Sequence, residues 1–128
     1  MTFEQFLGIL LSGVTKSELD GAVIYAIEKP VAANLKLPFP GVTIDTEREA
    51  WLAFIDKDPM ANWGHPARYV LVMESRESES YDARLPPFGQ QDSFKWCIVY
   101  KAPEVPETAI QGFTTAKITL NTILNSKR

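Results

Sequence analysis

Phe94-Lys95-Trp96-Cys97-Ile98-Val99-Tyr100-Lys101 is the stretch whose reading decides the fold. Successive side chains of an extended strand point to opposite faces of a sheet. Phe94, Trp96, Ile98 and Tyr100 therefore fall on one face, and Lys95, Cys97, Val99 and Lys101 on the other. Aromatic and β-branched residues suit a pleated, packed surface, and the pattern predicts a strand over 94–101.

Upstream, Tyr69, Val70, Leu71, Val72 and Met73 predict a second strand over 68–74. The segment 49–56 carries two signals. Thr46 and Glu49 have the spacing of a helix capping box. Trp51, Leu52, Ala53, Phe54 and Ile55 form a continuous apolar run, as in a strand buried on both faces. Pro59 bounds the run too closely for an ordinary helix, so a strand is favoured. Residues 22–28 read as a further strand, with Val23, Ile24, Tyr25 and Ile27. A helix opened by Ser17 is the competing reading, limited by Gly21 and Pro30. Residues 30–41, with Pro30, Pro38, Pro40 and Gly41, read as an irregular connection in which Pro38-Phe39-Pro40 runs extended.

At the N-terminus, Phe3, Phe6, Leu7, Leu10 and Leu11 recur at steps of three and four, the signature of an amphipathic helix. Thr2 and Gln5 fit a capping box. Gly13 is positioned to end the helix in a left-handed cap, with Val14 supplying the apolar contact that accompanies one. A helix this short is marginal alone in water and needs a surface to pack on. Downstream, Ile110, Phe113, Leu120 and Leu124 follow a helical period, whereas Thr114, Ala116, Ile118 and Leu120 alternate as in a strand. The tail from 108 stays open between the two, with its threonines tilting toward strand. A long flexible loop is expected at about 75–93, with Phe88 as the apolar tip of a flap.

No crossover helix is evident between the strands, which disfavours a parallel sheet. The expected fold is α+β: one globular domain over 1–128, with an antiparallel sheet of four to five strands and the N-terminal helix packed on one face.

The 128 residues include 13 Lys and Arg, 16 Asp and Glu and a single His, giving a net charge of −3. The basic residues are scattered, which argues against nucleic acid and anionic membrane as partners. No apolar run approaches the length of a membrane span. Phe6 to Leu11 lacks the basic flank and cleavage site of a signal peptide. The lone Cys97 cannot close an intrachain disulfide, so the expected compartment is the cytoplasm.

The stretch from Asp56 to Tyr69 gathers the hydrogen-bonding and charged residues between two strands. It supplies two alternative functions. The first is a protein-binding module (an adaptor, inhibitor or accessory subunit) whose contacts are Asn62, Trp63, His65, Arg68 and Tyr69, joined by Phe88 of the flap. Trp, Tyr and Arg dominate protein-binding hot spots. The second is a small hydrolase or transferase in which His65 works as an acid–base catalyst beside Asp56 or Asp58. A bland reading stands beside both: Asn62 and His65 brace the loop, with Asn62 bonding its own backbone in a turn at Gly64.

No cofactor or metal is expected. Asp56, Asp58 and Asn62 resemble the start of a calcium loop. However, Met60 occupies the third ligand position, Ala61 the glycine position and Ala67 that of the final acid. Cys97 lies mid-strand as a small hydrophobe rather than a nucleophile. The chain has no nucleophile elbow, phosphate loop or dinucleotide fingerprint.

Overall fold

The computed structural model describes residues 1–88 and 94–126. Two helices, α1 (Phe3–Ser12) and α2 (Lys16–Gly21), precede strand β1 (Val23–Ile27). A hairpin of β2 (Leu35–Phe39) and β3 (Val42–Thr46) follows, then β4 (Ala50–Asp56), β5 (Ala67–Met73), β6 (Ser78–Ala83) and β7 (Trp96–Lys101). A 3-10 turn (Glu107–Ile110), β8 (Thr114–Thr115) and α3 (Leu120–Ser126) complete the chain.

The fold is α+β, but the sheet is larger than the alternation predicted and is mixed. Six strands lie in the order β6-β5-β4-β1-β7-β8, all antiparallel except that β8 runs parallel to β7. The hairpin β2–β3 forms a separate two-stranded sheet. In place of an irregular connection over 30–41, Pro40 and Gly41 make a tight turn, with Gly41 at φ 79 and Phe39 opposite Val42. Proline followed by glycine at positive φ is the chemistry such a turn demands. Within the expected flexible loop at 75–93, residues 78–83 form the edge strand β6; residues 89–93 of that loop lie outside the described residues.

Both faces of the sheet's centre are covered, so β5, β4, β1 and β7 are buried along nearly their whole length. On one face lie the helices. The ring of Phe6 stacks on Trp51 at 5.4 Å, and Phe3 tilts against both. The Thr2–Gln5 capping box forms, each side chain accepting from the other residue's backbone N–H. Gly13 does end α1, but in the right-handed region (φ −100), its N–H donating to the Leu10 carbonyl, rather than in a left-handed cap. Thr15 and Glu18 form a second capping box, so the helix opens at Thr15 instead of Ser17 and hands over to β1 within two residues.

On the other face lies an aromatic layer. Phe54 sits between Tyr25 and Tyr69 on neighbouring strands. Phe39 of the hairpin stacks on Tyr69 at 4.4 Å with the planes 8° apart. Phe88 and Phe113 close over Tyr25 at 4.7 and 4.9 Å. Thr46 does not cap a helix. Its hydroxyl accepts from Leu35 N–H and donates to the Ala32 carbonyl, locking the hairpin base.

The alternation of β7 is broken once. Ile98 lies opposite Tyr25 and Tyr100 opposite Ile24, so the register steps past Val99. A β-bulge of this kind re-aims the following side chains. Tyr100 thereby leaves the face of Trp96 and Ile98 and donates its hydroxyl to the Leu19 carbonyl on α2. The tail forms a little of each element without following either expected period: Thr114–Thr115 pairs with Cys97 and Ile98, and α3 buries Leu120 with Ile123, which lay outside the expected helical face. Among the described residues, no helix is long and apolar enough to cross a membrane.

Candidate functional site

β4 and β5 are paired to their ends, with Asp56 opposite Ala67. The segment 57–66 joins them, closed at its base by Lys57 N–H donating to the Pro66 carbonyl at 2.9 Å. Asp56 follows Phe54 on the same face of β4. Its carboxylate is therefore directed under the segment and is only 5 % exposed.

A carboxylate so buried needs partners. One oxygen accepts from His65 Nδ1 at 2.8 Å and the other from Asp58 N–H at 3.2 Å. The second ring nitrogen of His65 faces the Ala61 carbonyl at 2.8 Å. Ala61 N–H donates to the Asp58 carbonyl, and His65 N–H to the Arg84 carbonyl at 2.7 Å. Gly64, at φ 56, makes the turn into His65 in a conformation that favours glycine. The turn lies where the sequence placed it, but the side chain that braces it is Asp56, while Asn62 points to solvent.

The two groups that bracket this bond have shifted proton affinities. Burial pushes the Asp56 carboxyl above its ordinary range, against the opposing pull of the His65 hydrogen bond and charge. Burial alone would lower His65. The hydrogen bond and charge of Asp56, with the Ala61 carbonyl and Asp58, outweigh it and raise the imidazole above its ordinary 6.5. Burial, followed by the negative charge at Asp56, also pushes Tyr25 upward.

The segment's apolar side chains face outward. Trp63 is 88 % exposed and Met60 59 %. Beside the segment lies an open cleft of about 570 Å³, walled by Lys57, Pro66 and Ala67 on one side and Asp82 to Leu85 on the other, with the Pro40–Gly41 turn at its end. Neither Asp56 nor His65 reaches its lining.

The sequence-predicted residues thus separate into groups. Asp56 and His65 come together beneath the segment; Asp58 reaches them only through its backbone N–H, and its side chain is exposed like those of Asn62 and Trp63. Arg68 turns to the opposite face of the sheet, where its guanidinium grips Glu18 with Nε and Nη2 at 2.8 and 2.9 Å from the two carboxylate oxygens. Tyr69 is fully buried under Phe39. Phe88 is folded into the aromatic layer against Tyr25, Phe54, Trp96 and Phe113. Arg68, Tyr69 and Phe88 are therefore building residues, held by an ion pair or by ring packing rather than presented to a partner.

The sequence reading missed the carbonyls of Ala61 and Arg84, which leave no trace in residue identity. It also passed over Met60, whose place in the polar segment was a visible signal. Acid–base chemistry at His65 has its carboxylate but lacks a nitrogen directed at a substrate, since both ring nitrogens are engaged. Among the described residues, no three His, Cys, Asp or Glu side chains are grouped to hold a metal ion. Comparison with protein families, with curated proteins and with solved structures found no match to this chain.

Proposed function

We propose that this chain is a non-catalytic protein-binding module and that the segment 57–66 is its contact surface, with Trp63 as the anchor. One observation carries the reading: the segment directs its hydrogen bonds inward and leaves Trp63 88 % exposed. An indole held in water forgoes the burial that aromatic side chains gain in cores and interfaces. Tryptophan at the centre of an interface is among the strongest hot-spot residues. Holding the backbone still before binding lowers the ordering cost of association.

Met60 broadens the surface with a side chain that adapts to differently shaped partners. The matching surface on the partner is an apolar pocket wide enough for an indole. His65 and Asp56 serve this reading as supports.

The test is recovery of binding proteins on immobilised wild-type chain and on Trp63→Ala, Met60→Ala and the distant control Lys36→Ala. Each recovered protein is then purified and titrated against all four. The expected result is a partner that binds wild type and Lys36→Ala alike and loses at least about 30-fold in affinity on Trp63→Ala, as for a hot spot of about 2 kcal/mol. A set of partners that all bind Trp63→Ala unchanged overturns the reading.

A further inference from the structure

The bonds around His65 set a condition that neutral imidazole cannot meet. Neutral imidazole has one N–H and one lone pair, whereas imidazolium has two N–H groups. The two ring nitrogens of His65 face the Asp56 carboxylate and the Ala61 carbonyl, each at 2.8 Å. With Asp56 ionised both partners are acceptors, so only the doubly protonated ring satisfies both contacts. If the ring loses a proton, the remaining N–H stays with the stronger acceptor, Asp56. A lone pair then faces the Ala61 oxygen.

The Ala61 contact matters because of where it lies. The base of the segment is tied independently, by Lys57 to Pro66 and by His65 N–H to the Arg84 carbonyl. Between these ties, and among the described residues, the hydrogen bonds that secure residues 59–64 both run through Ala61: its N–H to the Asp58 carbonyl and its carbonyl to His65. Met60 and Trp63 lie on either side of it.

We propose that His65 is a proton-operated latch on the Trp63 segment: it holds the segment while both ring nitrogens are protonated and releases the Ala61 end when one proton leaves. As a regulatory device this rests on the reading of Trp63 as the contact residue; as a mechanical one it stands on the ring's two bonds.

The charged and titratable groups around the latch agree on its direction. Asp56 at the end of β4 and Asp58 in the segment both favour the cation. Lys57, the nearest cation in sequence, is turned away toward Glu18 at 3.7 Å. β1 contributes the Tyr25 hydroxyl, kept neutral by burial and by the Asp56 charge. Arg84, after β6, meets His65 through its backbone carbonyl. The latch is closed below the ordinary imidazole pKa of about 6.5 and opens as pH rises through the higher value the folded protein imposes.

The test needs no partner. Nuclear magnetic resonance on the 15N-labelled chain follows the His65 ring nitrogens and the backbone amides from pH 5 to 9. The expected result is a His65 midpoint above about 6.5, with the amides of residues 59–64 becoming mobile through the same midpoint while those of β4 and β5 do not. Asp56→Asn should lower the midpoint relative to wild type, and His65→Phe should leave the segment equally mobile at every pH.

A His65 midpoint at or below 6.5, or segment mobility that ignores the midpoint, overturns the latch. Both are read on wild type, so a variant that fails to fold does not remove the test. Either result would leave the Trp63 contact standing. Conversely, partners indifferent to Trp63→Ala would remove the contact and leave the latch.

Discussion

Arg68 and Glu18, fifty positions apart in sequence, meet side-on: Nε lies 2.8 Å from one carboxylate oxygen and Nη2 2.9 Å from the other. The same guanidinium donates to the Gly13 carbonyl and to the Ser80 hydroxyl. One side chain on β5 therefore ties together the end of α1, Glu18 of α2 and the edge strand β6. Planar, bidentate pairing of this kind is specific to arginine.

Glu18 is only 7 % exposed, so removing its charge leaves a guanidinium with its best acceptor gone in a mostly buried place. Breaking one side of a buried pair costs about 3 kcal/mol. Glu18→Gln and Arg68→Lys should each lower unfolding free energy in urea by that order, with affinity for a Trp63-dependent partner unchanged. Loss of partner binding by folded Arg68→Lys would return Arg68 to the contact surface.

The same pair fixes an acid limit. Burial alone would raise the Glu18 carboxyl. The Arg68 hydrogen bonds, the Thr15 N–H and the charges of Arg68 and Lys57 outweigh it and hold the group at about 2, down from 4.5. A depressed carboxyl contributes stability above its unfolded pKa and loses it as pH falls through the folded one. Stability should therefore drop by about 3 kcal/mol between pH 4.5 and 2 from this group. Glu18→Gln should flatten that part of the curve. Wild-type and variant urea midpoints that fall in parallel across this range would assign the acid limit elsewhere.

The elements legible in the sequence are those whose burial matches a single period. The runs at 22–28, 49–56, 68–74 and 94–101 became β1, β4, β5 and β7 because these central strands are apolar for one mechanical reason: both faces are covered. β6 was illegible for the opposite reason. As an edge strand it is mostly exposed and carries Glu79 and Asp82, charges that keep edges from pairing with other chains. β3 did leave a signal, since Val42, Ile44 and Thr46 alternate with Thr43 and Asp45, but the prolines before it suggested an irregular connection rather than a strand and a tight turn. At the site, the sequence placed Asp56, Asp58 and His65 in one segment. Facing direction was hidden: Arg68 and Tyr69 are neighbours in sequence and lie on opposite faces of the sheet.

The hairpin β2–β3 is held to the main sheet by Leu37, Phe39 and Ile44, all buried in the core, and of these Phe39 makes the ring contacts. Phe39 stacks on Tyr69 and tilts against Phe94 and Trp96 at 6.3 Å each. Phe39→Ala should cost about 3–5 kcal/mol, the range for removing a buried phenylalanine. It should also speed amide hydrogen exchange in residues 35–46 beyond that of β4. Phe39→Leu, which keeps apolar volume but not stacking, should cost about half as much. If the exchange of residues 35–46 were unchanged in Phe39→Ala, the hairpin would have to be anchored through another contact.

Cys97 should resist thiol reagents despite lying next to the short outer strand. Burial first, then the hydrogen bond to Glu28 Oε1 at 3.1 Å and that residue's charge, push its thiol up to about 11. The reactive thiolate is scarce near neutral pH for this reason. Access is limited separately, because Thr114 of β8 lies opposite Cys97 and covers its edge. Glu28→Gln separates the two effects: it removes the charge that suppresses the thiolate and leaves β8 in place. If access governs, labelling by a disulfide reagent at pH 8 should be ~1,000-fold slower in the native chain than in urea, and Glu28→Gln should change it by less than about threefold. Labelling that accelerates with Glu28→Gln as much as thiolate content rises would show the two-residue strand β8 to be open on the reagent's timescale, with the thiol protected by its proton alone.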